Sequence, residues 1–303
     1  MPLPDFIPPM LAEYGEAFDS EEFLFEVKWD GTRAMAFVDG PGVLRLVNRR
    51  KVDLNERYPD LAFLGNLPPG TVLDGEIVVL KNGKPVFNSL QSREQARSPV
   101  YVKSLALHEP ATFIAFDLLY RDFSSICDQP LKSRREQLKQ IIEGHPHPYL
   151  MRSKGVVGTG KAFFDACCEQ GLEGMMAKRL NSRYAPGQRN GAWIKVKQCH
   201  HMLCAIIGFV QKDQEKDFRT LLIATEQDGQ AVYIGRVASG VDDAMRAKLN
   251  SLLWPLLRET PIVPCRERAR WVEPDIYCKV RYLEKTSGGQ LRSPVIEEIC
   301  DGN

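Results

Sequence analysis

The sequence predicts an α+β fold in two domains: a larger one of closely spaced antiparallel strands with helices, residues 1–200, and a small β-barrel, residues 201–303. Three observations predict it. Short β-prone runs punctuated by Gly- and Asp-containing turns fill the first 120 residues. Two patterns of helical period follow, with no internal repeat. After about residue 200 the chain returns to strands with one interposed helix, and its 303 residues are enough for two separate cores.

Residues 1–22 are proline-rich and then acidic, and are expected to lie across the first domain rather than build its core. Strands follow at 23–27, 33–38 and 43–47, with turns at Gly31 and at Asp39-Gly40-Pro41-Gly42, the spacing of an antiparallel meander. A strand at 71–80 carries Asp74-Gly75-Glu76 and turns at Asn82-Gly83, after which Phe87-Asn88-Ser89-Leu90-Gln91 leads into a helix. The apolar strand 112–120 contains Phe116-Asp117, and helices are expected at 131–142 and 161–170, the second closed by Gly171. From Lys178 to Lys197 there are six basic residues and no acid, with Tyr184 and Trp193 interleaved. Lys195 and Lys197 sit two apart in a strand pattern and so share a face, leaving Ile194 and Val196 to the core. The domain boundary falls at 198–201. Strands at 202–209, 220–225, 231–237 and 277–282, a turn at Asp228-Gly229 and a helix near 242–257 then suggest a small β-barrel of the OB type.

Composition excludes more than it selects. Lysine and arginine number 40 against 39 acids, so a net charge of +1 gives no overall pull toward nucleic acid or membrane, and any polyanion site must come from local segregation. No apolar run approaches the roughly 20 residues of a membrane span. Met1-Pro2-Leu3-Pro4-Asp5 lacks the basic-then-apolar order of a signal peptide, so a cytoplasmic protein is expected. The eight cysteines form no Cys-x-x-Cys pair and read as buried small hydrophobes. Cys199-His200-His201 with Cys204 is irregularly spaced for zinc. Gly155 to Lys161 is one residue short of a phosphate-cradling loop, since Ala162 stands where a magnesium-binding hydroxyl belongs.

The chemistry concentrates at Phe25-Glu26-Val27-Lys28-Trp29-Asp30-Gly31-Thr32-Arg33, an apolar run that delivers a lysine and an aspartate to a glycine turn. Lys-x-Asp-Gly alone arises by chance in roughly one chain in ten of this length. Its companions decide the matter. Pro9-Met10-Leu11-Ala12, Lys28-Trp29-Asp30-Gly31, Asn48-Arg49, Asp74-Gly75-Glu76, Phe116-Asp117-Leu118-Leu119, Glu173-Gly174 with Lys178, Lys195-Val196-Lys197 and Leu291-Arg292-Ser293-Pro294 occur in an order that resembles the ATP-dependent DNA ligases, within the wider group of covalent nucleotidyltransferases. The resemblance is to the compact bacterial and archaeal ligases, including the ligase modules of end-joining enzymes, since a catalytic domain and an OB domain fill the 303 residues.

The resemblance implies a nucleotidyltransferase domain with ATP-grasp-like antiparallel sheets followed by an OB-fold barrel. It also implies three transfers: Lys28 attacks the α-phosphate of ATP, AMP passes to the 5′-phosphate of a nick, and the 3′-hydroxyl displaces AMP. A lysine at its ordinary pKa of about 10.4 is almost wholly protonated near neutrality, so nearby cations must favour the neutral amine; Arg33, Lys195 and Lys197 match the family's cations. Lys195 and Lys197 are expected to contact the α-phosphate. Glu76 and Glu173, from separate strands, are the expected ligands of Mg²⁺, with Mn²⁺ equally suited to oxygen donors. Phe116 is expected to stack on adenine while Glu26 and the Val27 backbone read its edge; Arg33 and Arg49 suit ribose and phosphate. Asp30 is expected to orient the nick end or a metal. Arg292, helped by Lys285 and Arg281, is expected to reach the β- and γ-phosphates.

The implied partners are nicked double-stranded DNA and end-joining or repair proteins, with no membrane and a monomeric state. An RNA ligase or capping enzyme shares the lysine and differs in acceptor. A non-catalytic OB-type nucleic-acid-binding protein and a P-loop NTPase are the remaining alternatives.

Overall fold

The computed structural model describes residues 2–211, 217–286 and 288–301. The chain divides into two compact units, Met1–Lys197 and Gln198–Asn303. In the first unit the strands are β1 (Leu11–Tyr14), β2 (Ser20–Val27), β3 (Thr32–Gly40), β4 (Val43–Asn48), β5 (Thr71–Lys81), β6 (Lys84–Pro85), β7 (Ala111–Arg121), β8 (Ser124–Ser125), β9 (Leu150–Arg152), β10 (Gly155–Gly158), β11 (Gly174–Arg179) and β12 (Arg189–Lys197). The helices α1 (Phe87–Gln95), α2 (Pro99–His108), α3 (Leu131–Gly144) and α4 (Gly160–Glu169) are inserted among them.

These strands make two sheets. One runs β1-β12-β11-β2-β10, the other β4-β3-β5-β7-β8, with β6 on β5 and β9 on β7. Most pairings are antiparallel, as expected, but β1 joins β12 and β9 joins β7 in parallel. Each parallel partner arrives after a long crossover, the connection that parallel pairing requires. Alternation along the strands divides the apolar residues. Phe23, Phe25, Met175, Ala177 and Val196 pack outward against Phe163 and Phe164 of α4. Ala34, Ala36, Leu73, Ile77, Phe113 and Leu118 form a core with Leu138 and Ile141 of α3. A further cluster joins the two sheets: Met35, Phe37, Phe116 and Leu119 from one, Trp193 from the other.

Two expectations change here. Leu3, Ile7 and Met10 are buried members of that joining cluster, so the N-terminal segment builds core instead of lying over it. The strands on either side of Gly31 do not pair with each other as a meander would: β2 pairs with β10 and β11, and β3 with β4 and β5. Residues 28–31 therefore cross from one sheet to the other.

The glycine-rich Gly155 to Lys161 stretch also has its explanation in packing. A Cβ on Gly160 would lie 2.1 Å from the Phe18 carbonyl, and the Lys161 amide donates to Asp19 Oδ1 at 2.8 Å. A side-chain carboxylate thus occupies the helix start that a phosphate would need.

The second unit is built from β13 (His200–Gln211), β14 (Phe218–Gln227), β15 (Gln230–Val237), α5 (Asp243–Leu253), β16 (Leu257–Arg258), β17 (Arg270–Val272), β18 (Ile276–Tyr282), β19 (Glu284–Lys285), β20 (Leu291–Arg292) and β21 (Val295–Asp301). Its main sheet runs β15-β14-β13-β17-β16, and β18 bridges β13 to β21. Inward residues Ile206, Leu221, Ile223, Ile234 and Val280 close on Leu249 and Leu253 of α5, whose first turn is capped by Asp242 accepting from the Met245 amide at 2.7 Å. Cys204 and Cys278 face each other in this core. His201, three residues before Cys204, points to the opposite face and meets Glu297 at 3.3 Å, so the two cannot share a metal. Among the described residues no helix is long and apolar enough to cross a membrane.

Candidate active site

Lys28 stands at the start of the inter-sheet crossing, and both ends of that crossing are fixed. Its amide donates to the Gly174 carbonyl at 3.0 Å, which ties it to the first residue of β11. Gly31, at the other end, lies so close to β5 that a Cβ there would sit 2.3 Å from the Ile77 carbonyl oxygen, and only glycine fits. The Lys28 ammonium pairs with Glu173 Oε2, and Lys197 Nζ meets the other oxygen of the same carboxylate at 2.6 Å. Glu173 is not on a strand, as the sequence suggested, but in the turn just ahead of β11. Its neighbour Gly174 has φ +139°, and a Cβ there would lie 2.1 Å from the Val196 carbonyl oxygen. The Glu-Gly pair therefore holds Lys28 by both its backbone and its side chain.

A cavity of about 300 Å³ opens between the facing sides of the two sheets, lined by Glu26, Val27, Lys28, Arg33, Arg49, Glu76, Phe116, Lys195 and Lys197 among others. Register explains this convergence. Glu26 is opposite Met176 and Met176 opposite Lys195, so the three share one face of their sheet. Arg33 is opposite Glu76 on β3 and β5, with Asp74 two residues along. Phe116 enters through a β-bulge: Asp74 pairs with Asp117 and Gly75 with Ala115, leaving Phe116 unopposed in β7. Arg49 extends exposed from the turn after β4, which Asn48 Oδ1 braces by accepting from the Arg50 and Val52 amides at 2.8 and 3.1 Å.

Asp30 lies in the crossing but is not in the cavity wall, and Glu173 reaches the site through its two lysines rather than by lining it. Arg292 belongs to the second unit, on the β19–β20 ribbon, where it pairs with Glu284. Arg281 bonds Glu297 Oε1 at 3.1 Å and Cys199 Sγ at 3.6 Å.

The cavity's electrostatics divide into three groups. Arg33 forms a two-pronged pair with Asp74, Nε to Oδ1 at 3.0 Å and Nη2 to Oδ2 at 2.7 Å, while Nη1 donates to the Met10 carbonyl at 2.7 Å. Burial opposes its charge, but Asp74, Tyr184 and Glu76 together more than compensate and raise the Arg33 pKa. Tyr184 donates to Asp74 Oδ2 at 2.7 Å and accepts from the Met10 amide at 3.0 Å. Next, Lys178 is buried against Glu26, with its ammonium 4.1 Å from the Phe116 ring centroid and 4.2 Å from that of Trp193. Burial pushes the Lys178 pKa down, with Glu26 opposing. Last, burial in the cavity raises the Glu76 carboxyl to about 8, partly offset by Arg33 and Lys28.

Sequence reasoning assigned no role to Asp74, Tyr184, Lys178, Trp193 or Trp29. Asp74 and Tyr184 each sit in a motif-bearing stretch, but nothing in either stretch says that residues 110 apart share a hydrogen bond. Trp29 donates to Ser153 Oγ at 3.2 Å, a pairing equally remote in sequence.

Comparison with known proteins identifies a family. Residues 9–197 match the family model for the ATP dependent DNA ligase domain, and residues 214–301 match that for the ATP dependent DNA ligase C terminal region. The multifunctional non-homologous end joining protein LigD of Pseudomonas aeruginosa is 32% identical over 98% of this chain, which spans only 36% of that relative's length. DNA ligase C1 of Mycolicibacterium smegmatis is 31% identical, with 93% of this chain and 85% of that protein covered. The crystal structure of the ligase domain from Mycobacterium tuberculosis LigD superposes with a TM-score of 0.59 at 29% identity, covering 98% of this chain and 95% of that one. A structure of mycobacterial DNA ligase D complexed with ATP gives a TM-score of 0.58 at 29% identity, covering 99% and 96% of the respective chains. The two units are thus a nucleotidyltransferase domain and an OB-fold domain, and the chain belongs to the ATP-dependent DNA ligase family.

Proposed function

We propose that this chain seals nicks in double-stranded DNA, using ATP to form a covalent lysyl-AMP on Lys28. One observation carries the reading: Lys28 and Lys197 share a single carboxylate at the mouth of a cavity that also presents Lys195, Arg49 and Glu76. No purely structural need explains so many like charges around one opening. The cavity also suits an adenine nucleotide. Glu26, whose Oε2 meets Arg135 Nη1 in an ion pair at 3.4 Å without forming a hydrogen bond, lines it as an acceptor suited to an exocyclic amine, beside the Phe116 ring.

In the first step Lys28 Nζ, having given up its proton, forms a bond to the α-phosphorus of ATP as pyrophosphate leaves. Lys195 and Lys197 meet the charge that builds on the α-phosphate oxygens. Glu76, which lines the cavity, and Glu173, once Lys28 and Lys197 turn to phosphate, are hard oxygen donors that would hold Mg²⁺ or Mn²⁺, which supplies further neutralisation of phosphate charge. Arg49 reaches ribose or phosphate. The AMP then moves to the 5′-phosphate of the nick, and the 3′-hydroxyl displaces it. The end-joining names of the relatives make broken-end repair the expected setting. A monomer is sufficient for this chemistry.

Incubation with α-labelled ATP and Mg²⁺ should leave label on the protein that survives denaturation, and Lys28→Ala should abolish it. Unlabelled wild type, or undiminished label on the variant, would falsify the covalent reading. A chase with nicked DNA and nicked RNA then identifies the acceptor: release of label by DNA alone supports a DNA ligase, and release by RNA alone makes it an RNA ligase.

A further inference from the structure

We infer that Tyr14 is a positioning residue for Lys195, holding its ammonium at the cavity wall until the α-phosphate arrives; this rests on the phosphate-contacting role proposed for Lys195. Tyr14 ends β1, the short strand that runs parallel to β12 and places Tyr14 beside Lys195. The Gly15 amide then donates to the Lys195 carbonyl at 3.2 Å, and Gly15 packs so tightly that a Cβ there would lie 2.6 Å from Ile194 Cγ2. The register is therefore fixed just after the residue. The result is that Lys195 Nζ lies 3.8 Å from the centroid of the Tyr14 ring. Arg189 ties the same strand down by donating to the Ala12 carbonyl at 2.7 Å.

The two lysines of β12 are held by different chemistry. Lys197 meets the Glu173 carboxylate, whereas among the described residues Lys195 has no acidic partner within ion-pair distance and rests on an aromatic face. A carboxylate would neutralise the ammonium and have to be displaced when phosphate arrives. A ring face attracts a cation weakly at an exposed site and gives it up readily to a charged oxygen. Tyr14 is 68% exposed and contributes to no core cluster, so burial does not account for a large aromatic ring at this position. Its hydroxyl is not needed for the interaction, because the attraction comes from the ring quadrupole.

The test is single-turnover formation of the lysyl-AMP adduct at saturating and sub-saturating ATP. Tyr14→Leu should slow adduct formation at sub-saturating ATP by about 2–5-fold, with a smaller change at saturating ATP, where the phosphate has taken over the ammonium. Tyr14→Phe should restore the wild-type rate. Lys195→Met should slow the step far more, and adding Tyr14→Leu to it should cost nothing further, since the ring then has no cation to hold. A Tyr14→Leu rate equal to wild type, a Tyr14→Phe rate as low as Tyr14→Leu, or an equal loss in the Lys195→Met background would each overturn the inference. A Lys195→Met protein as fast as wild type would instead overturn the role assigned to Lys195, so the two failures are told apart.

Discussion

Asp74 and Glu173 each hold residues that line the same cavity, and each has more than one partner, but they do so in opposite ways. Asp74 is fully buried, grips Arg33 with both oxygens and accepts from Tyr184; Arg33 and Tyr184 in turn fix the Met10 backbone. Glu173 is about one-fifth exposed and holds two flexible lysine ammoniums, one on each oxygen. A bidentate guanidinium pair in a buried network is a fixed part of the framework. An ammonium is a point charge on a rotatable stem and can change partners. The first cluster positions the N-terminal strand that walls the cavity, and the second keeps Lys28 and Lys197 at its mouth in a form that substrate can rearrange.

The sharpest way to break this distinction is to neutralise each carboxylate. Asp74→Asn should destabilise the first unit by about 3 kcal/mol, because it leaves the Arg33 guanidinium and Tyr184 without their charged acceptor. Urea unfolding would show it as a lower midpoint at unchanged slope. A loss below about 1 kcal/mol would place Asp74 with ordinary surface pairs. Glu173→Gln should behave in reverse. Its part-exposed pairs are worth no more than about 1 kcal/mol in stability, yet the rate of lysyl-AMP formation should fall by on the order of 10²-fold, the scale of removing one charge-handling group from a phosphoryl-transfer site. Near-normal adduct formation by Glu173→Gln would make that carboxylate a mere tether.

The same contrast explains what was legible in the sequence. Strand and helix positions followed from periodicity, and the motif residues Lys28, Glu76, Phe116, Lys195 and Lys197 could be named because each sits in a short local pattern. Glu173 is equally local, but its place in a turn is hidden because the apolar run that follows begins at the next residue. Local pattern cannot say which sheet a strand joins. The glycine turn at 28–31 looks like a hairpin turn, and only the tertiary approach of Gly31 to the Ile77 carbonyl makes it a crossing. The Phe116 bulge is invisible for the same reason, since it is a property of the pairing between β5 and β7. The Asp74 network joins residues from four separate stretches, 10, 33, 74 and 184, none of which signals the others.

Glu76 tests the contrast from between the two clusters. Burial lifts its carboxyl to about 8, and the negative charges of Asp74 and Glu173 add to the rise while Arg33 and Lys28 oppose it. A carboxyl with a raised pKa binds its proton more tightly in the folded state than in the unfolded chain, where the value is about 4.5. Its contribution to stability is therefore complete below pH 4.5 and is lost as pH rises through about 8. With divalent metal chelated, wild type should lose on the order of 1–2 kcal/mol relative to Glu76→Gln between pH 5 and about 8.5, a value reduced for solvent reaching the carboxyl. Added Mg²⁺ should flatten the difference, because a cation at Glu76 replaces the proton and stabilises the ionised form. Unfolding midpoints for both proteins across that range, with and without Mg²⁺, decide it: parallel curves in chelator would mean that Glu76 is already ionised at pH 5, held by Arg33 and Lys28.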